Sequence, residues 1–417
     1  MRFPLHLRIL LGLVLGGATG IACHLTFPDS PQLDAFVQNV ADPVGQIFLR
    51  LLFMLVIPLV VSALILGVSA LGDLKRLGRI GLKTLAYTIV VSGIAVLIGV
   101  TLVNWVQPGA GLPEPLRAEL RQQAAENAPP IAGAAISGGN FLVDLIPRNV
   151  VQSAAEGNML ALMVFALLFG IAMSTVPPDK TRALIETLEG VYEVSIKLTD
   201  WVLHLAPVGV AALLFSLTAR LGYELLQHIG AYVLVVVGAL AFHQIVIYSL
   251  SVSLLGKMHP LTFFRGVQDA MMTAFSTASS TATLPTSLKV AEENLKLPPH
   301  VSRFVLTVGA AANQNGTALF EGVTVLFLAQ FYGVDLSFAQ QVTVVLICIM
   351  GGIGTAGVPA ASIPVVMMIL GMVGVPAEGI GMILGVDRFL DMCRTTLNVT
   401  GDLAAAVVVS RGEESPA

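Results

Sequence analysis

Residues 376–410 form the stretch PAEGIGMILGVDRFLDMCRTTLNVTGDLAAAVVVS, on which the prediction of the fold depends. It is apolar and long enough to cross a bilayer, which takes about 20 residues. Its middle nevertheless carries five charged or polar side chains: Asp391, Arg394, Thr395, Asn398 and Asp402. At about 100° per helical residue, all five fall within about 60° of Asp391. The pattern therefore predicts a membrane helix with one polar stripe, here called the polar seam.

The charges on the polar seam indicate a binding site. A charge at the middle of a membrane costs about 2.5–3.5 kcal/mol even on an insertion scale, so three charges on one face need a reason. Arg394 offers a planar fork for a carboxylate, Asp391 can accept from an ammonium group, and Asn398 can hydrogen-bond a second carboxylate. The alternative is a structural ion pair between Asp391 and Arg394 that holds helices together. The seam favours a ligand that carries both signs of charge.

The composition indicates a polytopic membrane protein. The chain has 417 residues, of which 55% are hydrophobic and 12% are charged, with a mean hydropathy of +0.85. A soluble domain usually carries about 25% charged residues. The net charge of −4 gives no reason to expect a nucleic-acid partner. Three cysteines stand apart without metal or disulfide spacing, and nothing indicates a cofactor.

Six apolar spans come before the pattern changes. They cover residues 7–28, 43–71, 84–106, 139–175, 190–218 and 226–255. The fourth is too long and too polar at its start for one simple helix, so we expect breaks in it. Basic residues between 75 and 83 place that loop and the N-terminus in the cytoplasm by the positive-inside rule.

Two later segments, 266–298 and 337–372, have apolar arms too short to cross a membrane, around a polar or glycine-rich centre. Unwound backbone at membrane depth is tolerated only where it is buried in protein or lines a cavity. Thr281–Pro285 resembles Thr355–Pro359, and each segment precedes a span with polar residues in it. The first of these, the seventh span, covers residues 300–331 and is expected to be interrupted at Asn313–Gly316; the second is the stretch 376–410. The sequence therefore predicts inverted repeats, each a re-entrant hairpin followed by a span, the first entering from the cytoplasm and the second from outside. Such repeats place a substrate site near the midplane.

Four motifs make the chain similar to the dicarboxylate/amino acid:cation symporter family, the glutamate transporters and their bacterial homologues. They are SSTATLP (279–285), NQNGTALFEG (313–322), GIGTAGVP (352–359) and DMCRTTLNVTGD (391–402). The resemblance implies an all-α polytopic protein with eight transmembrane helices and two re-entrant hairpins, which works as an elevator. It also implies a homotrimer in the bacterial cytoplasmic (inner) membrane, with both termini in the cytoplasm.

The resemblance divides the chain into two domains. Residues 1–71 and 107–218 would form a static scaffold. Residues 72–106 and 219–417 would form a mobile transport domain, which would carry both hairpins.

The resemblance also implies roles for individual residues. Arg394 would bind the side-chain carboxylate of the substrate and Asp391 its amino group, while Thr395 and Asn398 would bind the main carboxylate and amino groups. The rest of the pocket would come from the hairpins and the seventh span: Ser279, Ser280, Thr317 and the backbone at Gly357 and Val358. Having both Asp391 and Arg394 favours aspartate or glutamate, carried in with a cation. The alternatives are a C4-dicarboxylate symporter or a channel-like anion conductor.

The cation sites of the family are only partly present. Four residues match one sodium site: Gly309, Asn313, Asn398 and Asp402. The same cluster is also compatible with a hydrogen-bonded helix contact. Asn315 stands where the family has a carboxylate that binds another sodium ion, and losing an anionic ligand weakens cation binding. Coupling to fewer Na⁺ ions, or to H⁺, follows. Glu321 is the candidate proton carrier, with a structural role as its alternative.

The sequence also gives an interpretation of the two serines of the first hairpin and of Arg388. Ser279 and Ser280 have no His or Lys base beside them in the sequence, so an intramembrane hydrolase is not expected and the protein is not an enzyme. Arg388 is expected to have a structural role, either snorkelling or pairing with Asp387.

Overall fold

This computed structural model describes residues 5–27, 30–70, 79–112, 122, 146–156, 159–354 and 362–413. Over these residues the chain is helical and contains no strand, which confirms the all-α prediction. The first ten helices are α1 Leu5–Thr26, α2 Pro31–Phe36, α3 Asp42–Phe53, α4 Val56–Ala70, α5 Arg79–Val106, α6 Val150–Ala155, α7 Met159–Thr175, α8 Pro178–Leu203, α9 Ala206–Leu221 and α10 Glu224–Phe242.

The second half of the chain contains the broken helices. After α10, two π-helical turns at His243–Ile247 and Ser251–Leu255 continue the same rod. The remaining helices are α11 Pro260–Thr277, α12 Ser280–Lys289, α13 Pro299–Ala312, α14 Asn315–Tyr332, α15 Phe338–Gly354, α16 Ser362–Met372 and α17 Ile380–Val409.

Five helical segments among the described residues are apolar and long enough to cross a membrane. They are Leu7–Thr26, Pro31–Leu66, Arg79–Val106, Pro178–Arg220 and Leu225–Leu255. They overlap five of the six apolar spans predicted before residue 256, so the protein is a multi-pass membrane protein. Helix α17 has 30 residues but differs from these five because its centre is charged.

The predicted breaks lie close to their expected places. The fourth region contains two helices, α6 and α7, and the span over 300–331 is interrupted between Ala312 and Asn315. The first hairpin turns at Ala278, whose left-handed backbone (φ 50°) ends α11, and at Ser279. This turn lies within the run of hydroxyl and small residues, because Ser276 and Thr277 precede it in α11 and Ser279 caps α12. Residues 355–361, the centre of the second hairpin, lie outside the described residues.

Helix α17 lies at the centre of this second half. It packs against α10, α11, α12, α13 and α14, and also against α5. Twenty-three of the thirty residues between Ile380 and Val409 are buried. Other helices therefore enclose both the apolar and the polar face of α17. The polar seam therefore faces protein.

A second close contact joins α1 to α9. Three glycines one turn apart, Gly12, Gly16 and Gly20, face α9, and an added Cβ at Gly16 would collide with the backbone of Ala211. Small residues at such spacing let two helices approach closely in a membrane, where dispersion contacts replace the hydrophobic driving force.

The residues after α17 are held against the start of α5. Glu413 Oε1 accepts hydrogen bonds from Arg79 Nε and Lys83 Nζ, both at 2.8 Å. The carbonyl oxygens of Arg411 and Gly412 accept from the same two side chains at 3.1 Å. The hydrogen bonds from Arg79 and then Lys83 lower the pKa of Glu413 from its ordinary 4.5 to about 2.

We expect Glu413→Gln to release this segment. Because the pKa of Glu413 is lowered, the contact is complete above pH 4.5 and is lost only as the pH falls towards 2. Amide exchange over 410–413, corrected for intrinsic rates, should therefore be constant between about pH 5 and 8 in the wild type. It should be faster in Glu413→Gln. Glu186→Gln, which breaks an exposed pair within one helix, is the control; equal exchange in both variants would contradict the contact.

Candidate functional site

The five polar residues of the seam all lie in the protein interior. Arg394 is the most deeply buried, at 1% exposure, and the other four are also buried: Asp391, Thr395, Asn398 and Asp402. Burying ionised side chains in this way is expensive unless each has a partner. The partners of each residue therefore indicate what the seam can bind.

Arg394 forms the centre of an acidic cluster. Its Nη2 donates to Asp391 Oδ1 at 2.8 Å and lies 3.1 Å from Asp387 Oδ1. Its guanidinium carbon lies 3.8 Å from the centre of the Phe320 ring. Among the described residues, its Nε and Nη1 have no acceptor. A buried guanidinium with N–H groups in reserve can bind an incoming carboxylate without giving up its own aspartate.

Asp387 is a site residue that the sequence reasoning missed. Arg388 was expected to snorkel or to pair with it, but the pairing is wrong: Asp387 contacts Arg394, and Arg388 Nη1 lies 3.8 Å from Asp391 Oδ2. Adjacent helical residues do not face each other. The helical repeat would have identified Asp387 as a site residue, because it lies about 40° from Asp391 on the same stripe.

Helices α11 and α12 bring two hydroxyl residues, Ser279 and Ser280, to the region that packs against α17. Ser279 caps α12, since its Oγ accepts from the amide of Ala282 at 3.2 Å. Ser280 is buried, and its Oγ has no partner among the described residues. Both α11 and α12 pack against α17.

The break between α13 and α14 is tied to the seam by Asn398. The amide of Gly316 donates to Asn398 Oδ1 at 2.7 Å, so the N-terminus of α14 points at α17. Asn398 Nδ2 donates to Gln314 Oε1 at 2.5 Å and to Thr317 Oγ1 at 3.2 Å. The structure thus places Thr317 and Asn398 together, as the predicted pocket requires.

Asp402 lies beside the end of α13. Asn313 Nδ2 donates to Asp402 Oδ1 at 2.8 Å, while Asn313 Oδ1 has no partner among the described residues. An added Cβ at Gly309 would lie 2.5 Å from the same carboxylate oxygen, so a larger residue there would displace the Asp402 side chain. No Lys, Arg or His in the described part of the chain forms an ion pair with Asp402.

Three of the four residues proposed for Na⁺ therefore meet at one place: Gly309, Asn313 and Asp402. They offer carboxylate and amide oxygens, the ligand type that hard cations prefer. Asn398 is joined to them through the break at Gln314. In the part of the chain that the structure describes, no group of three or more His, Cys, Asp or Glu side chains could hold a metal ion, so the cluster does not have the donors of a transition-metal site.

Asn315 is fully engaged by neutral groups. Its Oδ1 accepts from Ser92 Oγ at 2.5 Å, and its Nδ2 donates to Tyr248 Oη at 3.0 Å. Tyr248 in turn donates to the carbonyl of Leu397 at 3.1 Å. The neighbours that Asn315 contacts through its side chain, Ser92 and Tyr248, are therefore uncharged.

Glu321 is buried on α14, where that helix packs against α15. An added Cβ at Gly351 of α15 would lie 3.0 Å from Glu321 Oε2. Glu321 therefore faces α15, the first helix of the second predicted hairpin. The two site residues predicted in that hairpin, Gly357 and Val358, lie outside the described residues.

Comparison with known proteins gives consistent matches over nearly the whole chain. A profile of the sodium:dicarboxylate symporter family matches residues 5–412. The chain is 36% identical to the proton/glutamate-aspartate symporter of Escherichia coli strain K12 over 416 residues, which cover 99% of this chain and 94% of the relative. It is 34% identical to the proton/sodium-glutamate symport protein of Bacillus subtilis strain 168, with the same coverage. It is 32% identical to human excitatory amino acid transporter 2, over 95% of this chain and 77% of that one.

Proposed function

The chain belongs to the sodium:dicarboxylate symporter family, and we propose that it is a secondary active symporter that imports aspartate or glutamate with Na⁺, H⁺ or both. Its family consists of transporters, so it acts as a carrier and not as an enzyme. The observation that carries the proposal is the buried guanidinium of Arg394, which pairs with Asp391 and keeps Nε and Nη1 without an acceptor among the described residues.

The substrate class follows from the charges of the seam. Arg394 meets the side-chain carboxylate, and Asp391 meets the ammonium group. Thr395 and Asn398 bind the main carboxylate and amino groups, with Thr317 and the hairpin residues Ser279, Ser280, Gly357 and Val358 completing the pocket. For the last two residues the support is the family resemblance alone. An acidic amino acid satisfies both charges of the seam at once.

Asp402 is the proposed attachment point for the driving cation. The substrate brings a net charge of −1 into a low-dielectric interior, and Asp402 is already a buried carboxylate with an amide as its partner. A monovalent cation brought in with the substrate offsets one of these two negative charges. The neutral network at Asn315 supports coupling to fewer cations than a second carboxylate would allow.

Glu321 is the proposed proton carrier. We expect Glu321→Gln to remove the dependence of uptake on an imposed pH gradient while leaving saturable substrate binding in place. Glutamine keeps the size of the side chain but cannot take up or release a proton. The measurement is L-aspartate uptake into proteoliposomes with the internal and external pH varied, with the exposed Glu293→Gln as the control. An unchanged pH dependence would assign Glu321 a structural role.

The proposed movement is an elevator in a homotrimer. Residues 1–71 and 107–218 form the scaffold, and residues 72–106 and 219–417 form the transport domain. The close contact of α1 with α9 supports the first group, and the enclosure of α17 by α10–α14 supports the second. The topology is eight spans with two re-entrant hairpins, in the bacterial inner membrane with cytoplasmic termini.

Radiolabelled uptake into proteoliposomes tests the function. Na⁺ and pH gradients are imposed independently on vesicles that contain the purified protein. The proposal expects saturable accumulation of L-aspartate or L-glutamate above equilibrium with at least one gradient. Uptake that only equilibrates, together with single-channel currents, would favour an anion conductor instead.

A further inference from the structure

Arg388 is a charged residue to which the proposed transport function assigns no role. It lies one helical turn before Asp391 and is 31% exposed, whereas the side chains of Asp391 and Arg394 are 10% and 1% exposed. It therefore lies at the rim of the acidic cluster. From there its guanidinium can reach the cluster or leave it.

The two oxygens of Asp391 face different cations. Oδ1 accepts from Arg394 Nη2 at 2.8 Å, which is a full hydrogen bond. Oδ2 lies 3.8 Å from Arg388 Nη1, which is within ion-pair range but beyond a hydrogen bond. The carboxylate to which the substrate ammonium is proposed to bind therefore already has a second, tethered cation beside it.

The balance of charge around Asp387 and Asp391 depends on Arg388. Arg388 and Arg394 together neutralise Asp387 and Asp391. An acidic amino acid brings its own ammonium to Asp391, so Arg388 can move aside. A four-carbon dicarboxylate without an amino group has no cation to offer, and without Arg388 it would meet a carboxylate with only one arginine partner.

We infer that Arg388 is a specificity-determining residue, a tethered cation that takes the place of the substrate ammonium on Asp391 and so lets the same site accept C4-dicarboxylates that lack an amino group. This inference rests on the proposed function. It assigns to Arg388 an effect on the choice between two substrates, not on transport as a whole.

The test compares succinate with L-aspartate. Inhibition of L-aspartate uptake by succinate gives a Ki, and its ratio to the KM of L-aspartate is measured in wild type, Arg388→Ala, Arg388→Gln and Arg388→Lys. We expect the ratio to rise about tenfold or more in the alanine and glutamine variants, because only succinate depends on the added cation. Lysine, which keeps the charge, should hold the ratio within about threefold of wild type.

Arg303→Ala is the matched control, since it removes an exposed arginine paired with Glu292. It should leave the ratio unchanged. A ratio that stays within about twofold in both neutral Arg388 variants, or a wild type that succinate does not inhibit, overturns the inference. Wild type that takes up no acidic amino acid overturns the proposed function as well, so the two failures are distinct.

Discussion

Replacing Arg394 with alanine is expected to abolish saturable uptake of L-aspartate and L-glutamate. The guanidinium lies 2.8 Å from Asp391 and 3.1 Å from Asp387. It is the group that we propose to bind the substrate carboxylate. Truncating one partner of a buried, hydrogen-bonded charge pair costs about 2–5 kcal/mol. That range corresponds to roughly 30-fold to 4,000-fold in affinity. The measurement is the KM and maximal rate of uptake in proteoliposomes.

Two variants separate substrate binding from folding. Arg394→Lys keeps the buried positive charge for Asp387 and Asp391 but loses the planar guanidinium, so it should fold and still bind the substrate weakly. Arg220→Ala removes an arginine that pairs with Asp42 at 3.0 Å, between α9 and α3 and away from the seam. It should keep the wild-type KM. A folded Arg394→Ala protein with wild-type uptake would contradict the assigned role of Arg394.

Asp402→Asn is expected to remove gradient-driven accumulation. Asparagine keeps the shape of the side chain and can still contact Asn313, but the negative charge that attracts a cation is gone. Accumulation driven by a Na⁺ gradient should fall to the equilibrium level. The same cation should raise the thermal stability of wild type, as a ligand of the folded state does, but not that of the variant.

The control for Asp402 is Asp42→Asn. Asp42 accepts hydrogen bonds from Ser216 and Arg220 on α9, outside the seam. The Asp42→Asn variant should have the same driving cation as the wild type and the same half-saturating concentration of that cation. If Asp402→Asn kept the wild-type dependence on the driving cation, the cation would have to bind elsewhere.

The seam could be predicted from the sequence because a single helix fixes the angular position of each side chain. Asp391, Arg394, Thr395, Asn398 and Asp402 needed only the helical repeat. The contacts of Asn398 with Gln314 and of Asp402 with Asn313 join residues 84 and 89 positions apart. No local pattern specifies such pairings. The resemblance to the family grouped Asn313 with Asp402, and the contact of Asn398 with Gln314 was not predicted.

One expectation for the last helix is corrected. Pairing of Arg388 with Asp387 was one of its two alternatives, but the helix turns Asp387 towards Arg394. The turn of the first hairpin has no local signal, because its left-handed residue is Ala278, which has no intrinsic preference for that conformation. The helical repeat decides the first feature, and tertiary packing decides the second.

A structure determined with bound L-aspartate tests whether Arg394 and Asp391 bind the substrate. We expect a carboxylate of the ligand to lie within hydrogen-bond distance of Nε or Nη1 of Arg394, and the ligand ammonium to lie at Asp391 Oδ2. L-aspartate bound away from α17, with Nε and Nη1 of Arg394 contacting no ligand atom, would contradict it.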